Sequence, residues 1–192
     1  MRIVLARPTL VFVMGVAGSG KSTLARSILR EVNAVYLDNN FIADAFFLDT
    51  RTDPEYLSLR EKFYHALYRI VEENLSVGNS VLLDAPHVKQ MLDPDWHRWL
   101  ALVLKRTGAA LAVVRCLAAE EELRRRLAER GEPRDRWKLE HWGAYREAEP
   151  PDVPIPYPHV DVWTDTGRDE ATKTALEHVL RPAGPDDARP DR

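Results

Sequence analysis

Between Gly15 and Ser22 the chain reads Gly-Val-Ala-Gly-Ser-Gly-Lys-Ser, which fits the pattern G-x-x-x-x-G-K-[ST]. Glycines at that density let a backbone take positive φ angles and bring its N–H groups close around an anion. Lys21 can then reach the outer oxygens of a phosphate chain, and Ser22 can ligate Mg²⁺. The free amides of a helix starting at this point face the same anion. Four fixed positions of this kind occur by accident in roughly one chain of this size in a hundred. Residues Gly15, Val16, Ala17, Gly18, Ser19, Gly20, Lys21, Ser22 and Thr23 are therefore a candidate phosphate cradle.

Three further groups extend the chemistry. Asp38 ends the apolar run AVYLD, where a carboxylate can accept the proton of an attacking hydroxyl or cap a helix starting near Asn39 or Asn40. Asp84 ends VLLD in the same way, placed either to contact Mg²⁺ through water or to hydrogen-bond the glycine loop. Ala85 follows it, where many nucleotide-hydrolysing machines carry a water-activating glutamate. From Leu123 to Lys138 seven basic residues meet three acidic ones. Arg126 and Arg130 are four apart and share a helical face, and Gly131 with Pro133 predicts a break into a mobile loop. Such a segment can close over a triphosphate and neutralise charge as it spreads, or it can be a solvated helix face.

These residues need a scaffold that brings the ends of several strands together. Short β-rich runs at Leu10 to Met14, Ala34 to Leu37, Ser80 to Asp84, Ala110 to Leu117 and His159 to Asp165 alternate with helical patterns. The helices are expected at Lys21 to Val32, Pro54 to Leu75, Asp95 to Thr107, Ala118 to Arg130 and Asp169 to Leu180. That alternation predicts a parallel sheet with right-handed crossovers, whose carboxyl-terminal strand ends face one crevice. The tail from residue 182 has little to bury and is expected to be disordered. The proline-dense stretch EAEPPDVPIPYPHV reads as a stiff surface connection or a polyproline ligand. Trp99 reads as core, Cys116 as a small buried apolar residue, and Trp137, Trp142 and Tyr145 as neighbours of the substrate mouth or as core.

Composition narrows the partners. Twenty-seven Lys and Arg face 30 Asp and Glu, a net charge of −3, so no global attraction to nucleic acid or an anionic membrane is present. One cysteine excludes an internal disulfide, and no 18-residue apolar span or signal-like start is found, so a cytoplasmic location is expected.

At the residues GVAGSGKST, YLDNNF and RRLAER the chain resembles the small P-loop kinases grouped around the polynucleotide 5′-kinases, chloramphenicol phosphotransferase, gluconate kinase and the zeta toxins. The likeness runs from Leu10 to about Leu180. It implies an α/β fold of the P-loop NTP hydrolase type. That fold is a three-layer sandwich with a five-stranded parallel sheet, helices on both faces and a short arginine-rich lid at about residues 131–140. One kinase domain over residues 1–181 is expected. The resemblance also implies ATP and Mg²⁺, with Asp38 as general base and Ser22 and Asp84 at the metal. Arg126 and Arg130 would touch ATP, and Arg130 and Arg134 would stabilise the transition state. Since WTDTGRDEA looks like the loop beside the adenine, Thr164, Asp165 and Thr166 become neighbours of the base. The acceptor is expected to be a hydroxyl of a small molecule held by Asp38, Asn39, Phe41, Arg51, Arg60 and His87. His87 alternatively reads as a surface residue. Two other functions fit the motifs: a polynucleotide 5′-hydroxyl kinase using the basic segment as its strand-binding patch, and an ATP-binding switch without transfer. Polynucleotide kinases often continue the strand-two aspartate with basic or aspartate-rich residues; here Asn39, Asn40 and Phe41 stand instead.

Overall fold

The structure is a computed structural model and describes residues 1–50 and 52–188. Strand β1 (Thr9–Met14) is buried along its whole length, and its side chains alternate between two cores. Leu10, Phe12 and Met14 pack toward α3 (Pro54–Ser76) and α4 (Pro94–Thr107). Val11 and Val13 pack toward α1 (Lys21–Glu31) and α8 (Arg168–Val179). The period of two in a strand thus builds two apolar layers from one run of residues.

The other strands are β2 (Val35–Asp38), β3 (Val81–Asp84), β4 (Ala110–Leu117) and β5 (His159–Trp163). All pairs are parallel, in the order β2-β3-β1-β4-β5. The chain leaves central β1 for one edge and later crosses to the other side, so a crevice opens beyond the carboxyl end of β1. The expected three-layer α/β sandwich and five-stranded parallel sheet are both present.

Local signals set the helix starts. Asp53 accepts from the Tyr56 N–H at 2.9 Å ahead of Pro54, and Asp93 accepts from the Asp95 N–H at 2.9 Å ahead of Pro94. Asp38 accepts from the Asn40 N–H and caps α2 (Asn39–Ala43).

Two expectations are corrected. The segment after α5 (Glu120–Arg130) is not an open loop: Gly131 closes α5, Pro133 opens α6 (Pro133–Glu140), and α7 (Trp142–Ala148) follows. Proline suits a first helical position because its missing N–H is not needed there. The tail is ordered through residue 188: Ala183 exchanges backbone hydrogen bonds with Leu111, and Ala188 is buried. Residues 189–192 lie outside the described residues. The proline-dense stretch is tied to the body, with Val153 and Tyr157 buried and the Val153 carbonyl accepting from Arg115 Nη1 at 3.0 Å. Trp99 packs half-buried against the core, and Cys116 is buried on β4, where desolvation pushes its thiol up to about 12.

Candidate active site

The glycine loop runs from the end of β1 to the start of α1, and its glycines are required by close packing. A Cβ on Gly15 (φ 138°) would stand 2.5 Å from the Cys116 carbonyl oxygen. One on Gly20 (φ 84°) would stand 2.8 Å from Thr164 Oγ1. Gly20 precedes α1 with no side-chain cap, so the first amides of that helix remain available to an anion. Lys21 Nζ donates to the Val16 carbonyl at 2.9 Å, curling over the loop. The Ala17 N–H donates to the Tyr145 hydroxyl at 2.8 Å, which anchors the loop to α7.

Three cavities adjoin along this loop. The first, about 290 Å³, is bordered by Gly20, Thr23, Arg126, Thr164 and Arg168. The second, about 230 Å³, lies over Gly18, Gly20, Lys21, Ser22 and Thr23, with Arg126 and Arg130 above. The third, about 300 Å³, takes in Lys21, Ser22, Asn39, Arg60, Arg130 and Arg134. Gly20, Thr23 and Arg126 belong to the first two, and Lys21, Ser22 and Arg130 to the last two. Gly15, Val16 and Ser19 lie beneath the loop as its buried support.

Beyond the loop, Asp38 and Asp84 are register partners on β2 and β3. Asp38 is 6% exposed and Asp84 is 1% exposed. The Tyr36 hydroxyl donates to Asp84 Oδ2 at 3.0 Å and to Asp38 Oδ2 at 3.4 Å. Burial, and then the negative charge of Asp84, raise the Asp38 carboxyl above its ordinary range, while the Asn40 amide, Lys21 and Tyr36 pull it back. Burial also raises the Tyr36 phenol, with both aspartates adding to the effect. A carboxylate of raised proton affinity at a strand end is suited to base chemistry. Ser22 and Asp84 supply only hard oxygen donors, a set that fits Mg²⁺.

The basic segment is organised by internal pairs. Arg126 donates to the Gly18 carbonyl (3.1 Å), to Thr164 Oγ1 (2.8 Å), to the Thr164 carbonyl (3.0 Å) and to Glu122 (2.6 Å). Asp135, 1% exposed, accepts from Arg130 Nε at 2.7 Å and from Lys138 Nζ at 2.9 Å. Arg134 pairs with Asp44 just beyond α2, which links α6 to the opposite wall of the third cavity.

Several expected contacts stand elsewhere. Asp165 accepts from the Ala119 N–H at 2.7 Å and Thr166 donates to the Trp163 carbonyl at 2.9 Å; neither borders the three cavities. Phe41 is exposed and packs edge-on to Tyr36. Arg51 lies outside the described residues. His87 is neither at the surface nor open to an acceptor. It is fully buried beside Phe12 and Trp96, its ring nitrogens face Tyr68 Oη (3.4 Å) and the Ala85 carbonyl (3.3 Å), and desolvation pushes its pKa down to about 4. Sequence reasoning missed Asp44, Arg168 and Tyr36, and it counted Asp135 and Lys138 in the basic segment without giving either a role. Only Tyr36 had a usable signal: two residues before Asp38 on a strand, it must share that carboxylate's face.

Residues 10–151 match the family AAA_33, described as an AAA domain. The chain belongs to this family. The likeness to small P-loop kinases read from its motifs agrees with that membership. No curated protein matches the chain. Solved structures share the fold of this AAA domain. A sugar kinase from Janibacter sp. HTCC2649 has TM-score 0.59 at 16% identity, covering 90% of this chain and 94% of its own. The Mycobacterium tuberculosis APS kinase, solved with AMPPNP and APS, has TM-score 0.57 at 18% identity, covering 90% and 98%. A gluconokinase from Sinorhizobium meliloti 1021 has TM-score 0.54 at 18% identity, covering 91% and 93%.

Proposed function

We propose that the protein is an ATP- and Mg²⁺-dependent kinase that moves the γ-phosphoryl group of ATP to a hydroxyl of a small molecule. The observation that carries this reading is the line of three joined cavities along the glycine loop, with Asn39 and Asn40, which directly follow Asp38 at the end of β2, on the wall of the third. Nucleoside, phosphates and acceptor each receive one compartment. Arg126 and Thr164 border the nucleoside end, the loop amides and Lys21 hold the phosphate chain, and the third cavity takes the acceptor. Ser22 and Asp84 would hold the magnesium ion, which supplies charge neutralisation on the phosphates when bound.

In the step itself, the acceptor oxygen forms a bond to the γ-phosphorus as the bond to the β–γ bridging oxygen breaks and ADP leaves. The hydroxyl proton passes to Asp38. Arg130 and Arg134, held by Asp135 and Asp44, set positive charge around the transferred group. A small acceptor is favoured over a nucleic-acid end because the basic segment is committed to internal pairs: Arg125 with Glu122 and Glu129, Arg130 and Lys138 with Asp135, and Arg134 with Asp44.

The reading is tested with Asp38→Asn, whose amide can still accept from the Asn40 N–H but cannot take a proton. ATP affinity by titration calorimetry should be kept. Phosphorylation of whichever alcohol the wild type accepts should fall by about 10²–10⁴-fold. Unchanged turnover would leave Asp38 as a helix cap alone.

A further inference from the structure

A fourth cavity, about 540 Å³, opens behind the acceptor compartment and is larger than any of the three along the glycine loop. Arg60, Tyr64 and Lys89 border both spaces, so they form the passage between them. The cations at this passage differ from the rest of the site. Arg130, Arg134 and Lys138 are matched by carboxylates, whereas Arg60 and Lys89 make no ion pair among the described residues. Arg60 sits 5.9 Å from the centre of the Tyr64 ring, which steers its guanidinium without neutralising it. Glu149 also borders the acceptor compartment, and its field falls on Lys138 and Tyr64.

Beyond the passage the walls are aromatic. Tyr68 and Trp99 lie 4.5 Å apart at 31°, and Trp96 is 6.2 Å from Trp99. Tyr68 and Trp96 are buried and Trp99 is half-buried, so Trp99 presents most of the ring surface on which another ring can stack. The same cavity is also lined by Glu61, Asp93 and Asp95, the last paired with Arg98, and these carboxylates disfavour a second negative charge. An oxyanion therefore belongs at Arg60 and Lys89, and an uncharged group belongs past it.

We infer that the acceptor is an elongated alcohol with one oxyanion group bound by Arg60 and Lys89 and an uncharged ring lodged against Tyr68, Trp96 and Trp99. Its hydroxyl end occupies the compartment bordered by Asn39 and Asn40, the residues that follow Asp38. This rests on the kinase reading for the hydroxyl alone; the oxyanion and ring subsites follow from the passage and the aromatic chamber.

Calorimetric titration of the full chain tests it with four probes. These are 3-hydroxy-2-(naphthalen-2-ylmethyl)propanoate, whose carboxylate stands between hydroxyl and ring, the corresponding sulfonate, the neutral methyl ester of the carboxylate, and 4-hydroxybutanoate, which keeps an anion and lacks the ring. One or both ring anions should bind about tenfold tighter than the ester and than 4-hydroxybutanoate. The carboxylate and sulfonate arms rank planar against tetrahedral oxyanions. Arg60→Gln should weaken the preferred ring anion about tenfold and leave the ester unchanged. Trp99→Ala should weaken ring anion and ester alike. Equal affinity of the ring anions and the ester, equal losses for both in Arg60→Gln, or no binding of any ring probe overturns the inference. ATP titrations and thermal melts of each variant keep the two readings apart. Selective anion binding without ATP binding would sink the kinase reading and keep the subsite. ATP binding without anion selectivity would do the reverse.

Discussion

Asp135→Asn probes the clamp that sets the basic segment in place. The carboxylate is almost wholly buried and holds Lys138 from one side, at 2.9 Å, and Arg130 from the other, at 2.5 Å from Nη2. The Arg130 side chain is 39% exposed, so solvent screens its share and its loss costs little. The Lys138 side chain is only 11% exposed, and an ammonium left there without its partner carries most of the penalty. Breaking a buried pair by removing one member costs about 3–5 kcal/mol; we take about 3 because Lys138 can lose its proton instead. In a domain of this size that lowers Tm by roughly 6–12 °C. Burial already pushes the Lys138 pKa down, and the Asp135 charge opposes this, so the variant pushes it down further. A lysine whose folded pKa lies below its unfolded one is penalised at low pH and relieved as pH rises through the gap. The deficit should therefore shrink between pH 7 and pH 10, and adding Lys138→Met should recover part of it. Thermal melts followed by circular dichroism measure all three. A Tm within 1–2 °C of the parent, or a double variant no better than the single, would refute the assignment of the cost to a stranded ammonium.

Two predictions concern proton affinities. Tyr36→Phe removes a hydrogen bond that lowers the Asp38 pKa, so the acidic fall of turnover should begin at higher pH than in the parent; an unmoved or lowered limb contradicts the role given to Tyr36. His87 has a folded pKa of about 4 against an ordinary value near 6.5, so the unfolded chain binds the proton first. Stability should be full above about pH 6.5 and fall toward pH 4 by on the order of 3 kcal/mol from this residue. Denaturant titrations across that range measure the loss, and an NMR titration of the His87 ring separates it from the opposite contribution of Asp38; a ring that titrates near 6.5 defeats the argument.

The sheet was legible because each strand is a short apolar run closed by a turn or a cap. The loop was legible because close packing against Cys116 and Thr164 leaves only glycine at Gly15 and Gly20. Asp38 and Asp84 could be placed at strand ends, but not in register with each other, since pairing order is a tertiary outcome. Gly131 and Pro133 correctly marked a break, yet proline also opens helices, and the pairing that holds α6 down involves Asp44, far away in sequence. His87 was misread because one histidine in a polar stretch gives no periodic signal, while its burial depends on Phe12, Tyr68 and Trp96 from three other elements. Asp165 and Thr166 were placed by motif likeness, and the structure uses both to fasten the turn.

The most direct test of phosphoryl transfer is to incubate the purified protein with ATP, Mg²⁺ and a mixed panel of nucleosides, sugars, antibiotics and short oligonucleotides, then to search the mixture by mass spectrometry. The account predicts a small alcohol gaining one phosphoryl group, formed by the parent and not by Lys21→Ala. Bound ATP with no phosphorylated compound, or a product formed equally by Lys21→Ala, would contradict it.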